Sequence, residues 1–120
     1  MSLYVGSVVI NARDLDQMTA FWSAALGYVV RSGDDTFVVL TDRKRRWSNV
    51  SLQRTDQPKR EQNRLHLDLY SDNRQREVAR LEGLGATQLP WDYEPDHDHI
   101  VMADPEGNEF CVIQSSYTQE

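Results

Sequence analysis

In the run LHLDLY, His66 and Asp68 stand two residues apart, which on an alternating strand puts an imidazole and a carboxylate on one side. Leu65, Leu67 and Leu69 then point the other way. A carboxylate beside an imidazole favours the charged ring and fixes its tautomer, so the pair suits acid–base work or ligand orientation. It equally suits two hydrogen-bonded residues of a pocket wall with no chemistry of their own. Near the C-terminus, EFCVIQ sets Cys111 with Glu109 and Ile113 on one side, and Phe110 with Val112 on the other. If Phe110 and Val112 pack on helices, the Cys111 thiol lines a cavity. A buried thiol often acts simply as a small hydrophobe, and nothing adjacent in sequence signals a lowered pKa. His97 and His99 in DHDHI would bring two rings together on a strand, as a metal site needs. The interleaved aspartates fit better with a polar loop entering a strand, with His99 at a pocket mouth. Of the three tryptophans, Trp22 belongs to a helical apolar stripe, whereas Trp91, after Pro90 in an irregular stretch, is the better candidate to stack on a ligand.

These residues need elements to hold them. Tyr4 to Asn11 is rich in β-branched residues and reads as a strand. Asp14 can cap the helix that follows, with Gln17 as its capping-box partner. Met18, Phe21, Trp22, Ala25 and Leu26 recur at helical spacing, and Gly27 suits a left-handed C-terminal turn. YVVRS, TFVVLT and NVSLQR read as three further strands. After the polar stretch Thr55 to Asn63 the signals recur: a strand in LHLDLY, a cap at Asp72 with Gln75, a stripe of Val78, Leu81 and Leu84, and Gly85 as terminator. Asp14 and Asp72, Gln17 and Gln75, Gly27 and Gly85 are each 58 residues apart, which indicates duplication. HIVMAD and NEFCVIQ close the second copy as two strands. Between them Asp104-Pro105-Glu106-Gly107 has the composition of a tight turn, so Asp104 and Gly107 read as turn makers. The expected architecture is α+β: two tandem βαβββ modules, about 4–55 and 64–115, in one domain spanning 1–120. Neither sheet could easily bury itself alone, so the two are expected to curve around a shared space.

The totals narrow the function. A chain of 120 residues that is 39% hydrophobic supports one modest core. The net charge of −6, with both signs scattered, argues against a general affinity for nucleic acid or anionic membranes. The basic run Arg43 to Arg46 lies between two strands and reads as a solvated hairpin tip. A single cysteine excludes an intrachain disulfide, no apolar run is long enough to span a bilayer, and a reducing cytoplasm is expected. There is no Gly-rich phosphate loop, no Cys-x-x-Cys pair and no Gly-x-Ser-x-Gly elbow.

The segments ARDLDQMTAFWSAALGY, LHLDLYSDN, LEGLGAT and above all ADPEGNEFCVI together resemble the vicinal oxygen chelate superfamily. That superfamily includes glyoxalase I, bleomycin-resistance proteins and extradiol dioxygenases, and the glyoxalase-like domain branch looks nearest. The resemblance covers nearly the whole chain and implies a cupped, curved mixed sheet, a homodimer and a small organic ligand. In metal-using members each module gives two inward side chains to a divalent ion such as Ni²⁺, Mn²⁺, Fe²⁺ or Zn²⁺. Carried over, those positions fall on Ser7, on or beside Gln53, on His66, and on Cys111 where glyoxalase I has a glutamate. Only His66 keeps a usual ligand type, since serine and glutamine are weak neutral donors. No metal cofactor is therefore expected. His66 and Asp68 are the expected catalytic residues, with Ser7, Gln53, Trp91, His99 and Cys111 around the substrate. The function implied is a metal-independent lyase or isomerase acting next to a carbonyl. The alternative is a non-catalytic protein that sequesters a drug or metabolite. A third reading, a metal-dependent lactoylglutathione lyase or dioxygenase, would need ligands from elsewhere, such as His97 or His99.

Overall fold

The structure is a computed structural model and describes residues 5–93 and 95–115. The chain forms two compact units, Met1–Pro58 and Lys59–Glu120.

The first unit runs β1 (Ser7–Ala12), α1 (Leu15–Leu26), β2 (Val29–Gly33), β3 (Phe37–Thr41) and β4 (Asn49–Arg54). Its sheet has the order β1-β4-β3-β2, with β1 parallel to β4 and the other pairs antiparallel. The helix starts where expected: the Asp14 carboxylate accepts the Gln17 N–H at 3.0 Å. It stops at Gly27, whose φ of +68° lies in the left-handed region that glycine adopts without a Cβ penalty. Leu15, Met18, Phe21 and Trp22 form its buried face. In the sheet, Val38 pairs with Leu52 and Leu40 with Val50, and all four are buried with them. Trp22, 1% exposed, is core, as its place in the stripe implied. The other face of this sheet carries Ser7, Val9 and Asn11 beside Ser51 and Gln53.

The second unit repeats the order with β5 (Leu67–Ser71), α2 (Arg74–Leu84), β6 (Thr87–Gln88), β7 (His99–Ala103) and β8 (Glu109–Gln114), in sheet order β5-β8-β7-β6. Val78 and Leu81 are the buried residues of α2; Met102, Phe110 and Val112 are buried on the strands. Three sequence expectations shift here. The strand begins at Leu67, not Leu65, which is 88% exposed. The cap is Asn73, not Asp72: Asn73 Oδ1 accepts the Arg76 N–H at 3.1 Å. Gln114 causes the one-residue shift, because its side chain donates to the Asp72 carbonyl at 2.8 Å and accepts the Arg74 N–H at 2.9 Å. Thirdly, β1 covers Ser7–Ala12, and Tyr4 lies outside the described residues.

The two units differ most between their second and third strands. In the first, Asp34 Oδ1 accepts from Thr36 and Phe37 and closes a three-residue turn, 34–36. In the second, Leu89 still donates to the Val101 carbonyl, but Pro90 has no N–H and ends the ladder. A ten-residue connection, 89–98, follows.

The next hairpin uses one device twice, a buried aspartate directly after the third strand. Asp42 accepts the Arg46 main-chain N–H at 2.8 Å and both prongs of its guanidinium at 3.0 and 3.1 Å. Arg46 is therefore tied down within the basic tip, and its guanidinium sits 5.5 Å from the Trp47 ring. Those bonds hold the Asp42 carboxyl down at about 2, from an ordinary 3.8. A depressed folded-state value makes the contribution complete above the unfolded value and lost as pH falls through about 2. Asp42→Asn should therefore flatten the dependence of stability on pH from about 4 to about 2, read from urea unfolding at each pH. A slope unchanged from wild type would place the acid-sensitive group elsewhere. In the second unit Asp104 takes the same place. No helix of the described residues is long and apolar enough to cross a membrane.

Candidate functional site

Alternation along the second sheet sends Phe110 and Val112 towards the core and Glu109, Cys111 and Ile113 to the face opposite α2. That face holds a cavity of about 290 Å³. Cys111 is its centre: it pairs with Asp68 of β5 on one side and Val101 of β7 on the other, while His99 pairs with Ile113. Two connections complete the lining. Gln62, Asn63 and His66 come from the segment before β5, and Trp91 and Asp98 from the long connection before β7.

His66 precedes the strand by one residue, yet its ring turns to the same side as Asp68, with Nε2 3.1 Å from Asp68 Oδ1. Both side chains are about half-exposed, at 50% and 45%. The Cys111 thiol is pushed above its ordinary value by burial first and by the Asp68 carboxylate second. It is therefore a neutral thiol at physiological pH rather than a nucleophilic thiolate. Alkylation by iodoacetamide at neutral pH should be about tenfold slower than for an unstructured cysteine peptide, and Asp68→Asn should speed it. A rate equal to the peptide's would mean that the thiol is neither shielded nor raised.

Glu109 was legible only as a neighbour of Cys111, and it organises the cavity's edge. Its carboxylate accepts the Asn63 N–H at 2.6 Å and meets Lys59 Nζ at 3.0 Å, while its carbonyl accepts from the Asn63 amide at 3.2 Å. These bonds seat the segment that delivers Gln62, Asn63 and His66. No local sequence signal could have found them, because Lys59 and Asn63 lie in an aperiodic polar stretch far from residue 109 in the chain.

The long connection is ordered by Tyr93. Its phenol oxygen accepts the Val101 N–H at 2.7 Å and its ring stacks on His97 at 4.3 Å. His97 and His99 rings are 5.9 Å apart and nearly perpendicular, and of the two only His99 lines the cavity. The structure thus gathers His66, Asp68, Trp91, His99 and Cys111 in one place. Ser7 and Gln53 belong to the first unit and are not side by side. Ser7 pairs with Asn49, whereas Gln53 lies four residues further along β4, opposite Asn11. The neighbour of Ser7 is Ser51, oxygen to oxygen 2.7 Å. By register, Ser7 and Ser51 stand in the first unit where His66 and Cys111 stand in the second.

A family model described as a glyoxalase-like domain matches residues 7–113. The chain belongs to the glyoxalase-like domain family. Solved structures place this glyoxalase-like chain in the fold of the glyoxalase/bleomycin resistance/dioxygenase, or vicinal oxygen chelate, superfamily. A family enzyme from Burkholderia phytofirmans PsJN is 22% identical with a TM-score of 0.68, over 90% of this chain and 95% of that one. The fosfomycin resistance protein FosX from Listeria monocytogenes is 15% identical with a TM-score of 0.76, over 97% and 94%. A point mutant of FosX, complexed with Mn(II) and 1S,2S-dihydroxypropylphosphonic acid, is 13% identical with a TM-score of 0.75, over 97% and 92%. No curated protein matches the chain significantly.

The manganese in that relative raises the question of whether this glyoxalase-like chain has the donors for such an ion. Among the described residues, His66, Asp68 and Cys111 bring their ligating atoms within 4.8 Å of one another. The set is one imidazole, one carboxylate engaged with that imidazole, and one half-buried thiol, so a single carboxylate supplies its oxygen donors. A hard, octahedral ion prefers several carboxylate, carbonyl and water oxygens, so the set does not fit it.

Proposed function

We propose that the second unit's cavity binds a small organic molecule and that His66 moves a proton at a carbon next to the ligand's carbonyl, without a resident metal. The observation that carries this reading is the His66–Asp68 pair, 3.1 Å apart on the wall of the cavity. A carboxylate facing Nε2 favours the tautomer protonated there and leaves the lone pair on Nδ1 for the substrate. When the ring takes up a proton, the same carboxylate stabilises the charge. In this reading the Gln62 side-chain amide, at the edge of the cavity, donates to the developing enolate. The chemistry is that of an isomerase or lyase, in a homodimeric protein of the reducing cytoplasm, where the lone Cys111 stays a thiol.

A second reading has its own support. An acid–base pair half-open to solvent is poorly dehydrated, which suits a protein that sequesters a drug or metabolite without reacting with it. The two readings separate in D₂O. Small neutral ketones and aminoketones are incubated with the protein, and ¹H NMR follows both ligand binding and loss of the α-hydrogen signal. Catalysed exchange supports the enzyme. Binding without exchange across the series supports sequestration and removes His66 from catalysis.

A further inference from the structure

The lining of the cavity includes three carboxylates, Asp68, Asp98 and Glu109, two imidazoles, His66 and His99, and, among the described residues, no lysine or arginine. Glu109 is compensated from behind, by Lys59 at 3.0 Å and the Asn63 N–H at 2.6 Å. Asp68 and Asp98 have imidazoles as neighbours instead, at 3.1 Å for His66 Nε2 and 3.6 Å for His99 Nδ1. With both imidazoles protonated the lining is neutral, and with both neutral it carries two negative charges. In no protonation state of these histidines does it offer an excess of positive charge to an anion.

Beside the Gln62 and Asn63 amides and the Cys111 thiol, the rest of the lining is apolar: Val101 and Ile113 on the floor, and Trp91, 43% exposed, presenting an indole. A protonated amine on an apolar body meets each of these features. Its charge gains from Asp68 and from the indole face, and its body covers Val101 and Ile113. A phosphate, sulfonate or carboxylate of the same size would lose water to face two carboxylates. The volume, at the lower end of ligand pockets of about 300–1,000 Å³, calls for a small molecule rather than a peptide.

We infer that this cavity selects a small organic cation, a protonated amine carried on an apolar group. The inference rests on the reading of the cavity as a ligand site and names the charge class of its ligand.

Three probes of one size test it: benzylamine, benzyl alcohol and benzoate, each titrated into ¹⁵N-labelled full-length protein. The expected result is that benzylamine shifts the Trp91 indole and the Val101 and Cys111 amide signals with an affinity about tenfold above that of benzyl alcohol, and that benzoate shifts none. In Asp68→Asn the advantage of the amine should fall to about twofold or less, because the carboxylate that attracts it is gone. Equal shifts by all three probes, or a preference for benzoate, would overturn the charge assignment and leave the cavity as a ligand site. No shift at these residues with any probe would overturn the ligand site itself, and the inference with it.

Discussion

His66→Ala should lower solvent exchange of the ligand's α-hydrogen by about 10²–10⁴-fold, the usual worth of a positioned general base, while affinity changes by about threefold or less. The asymmetry follows from the geometry. The half-exposed imidazole contributes one edge of the cavity, whereas Val101, Ile113, Cys111 and Trp91 supply the surface that holds a ligand. Removing the ring therefore costs little binding and all of the basic nitrogen. Asp68→Asn is the companion variant. Its amide can still face Nε2 and hold the ring but carries no charge, so exchange should fall less than in His66→Ala. A His66→Ala variant that binds and exchanges like wild type would make the His66–Asp68 pair a structural feature of the wall and favour sequestration.

The second large effect falls on the turn. Asp104→Ala is expected to destabilise the protein by about 3 kcal/mol and to lower Tm by about 10 °C. Asp104 is 3% exposed, and its carboxylate accepts the Glu106 N–H at 2.9 Å, the Asn108 N–H at 3.0 Å and the Asn108 side-chain amide at 2.9 Å. Alanine removes all three of these bonds from a part-buried turn, and the remaining Gly107 N–H to Asp104 carbonyl bond cannot replace them. Asp104→Asn keeps an acceptor oxygen and should recover part of the loss, as measured by thermal and urea unfolding. A loss below about 0.5 kcal/mol for alanine would mean that Gly107, at φ +89°, and the β7–β8 ladder hold the turn by themselves. The variant also matters for the cavity, because this turn sets the register that places Cys111 between Asp68 and Val101.

Local signals carried most of the fold. The Asp14 cap, both glycine stops, the alternation of EFCVIQ and the DPEG turn all act within a few residues, so their physics is written in short windows. The errors have the opposite character. Asn73 takes the cap because Gln114, on another strand, holds Asp72. Leu65 falls outside its strand although the alternation of LHLDLY runs through it, because periodicity does not say where pairing with β8 begins. At the cavity, side-chain alternation placed Asp68 and Cys111 on one face, and the irregular composition after Pro90 pointed to Trp91. What remained hidden was long-range: the clamp on Glu109 by Lys59 and Asn63, and the meeting of Ser7 with Ser51 rather than Gln53. Those depend on register and on side-chain reach, which a single sequence does not encode locally.

Whether the His66–Asp68–Cys111 group works as a proton-transfer site or as a metal centre is settled most directly by elemental analysis. Tag-free protein is incubated separately with Ni²⁺, Mn²⁺, Fe²⁺ and Zn²⁺, desalted and assayed for bound metal beside His66→Ala. The donor set of His66, Asp68 and Cys111 offers a single carboxylate and is short of the oxygen ligands that octahedral Ni²⁺, Mn²⁺ and Fe²⁺ require. It predicts no stoichiometric retention of these three ions, and Zn²⁺, which takes imidazole, carboxylate and thiolate donors, is the most stringent case. Retention of about one equivalent of one ion by wild type, lost in His66→Ala, would contradict the metal-free reading and make the three residues ligands.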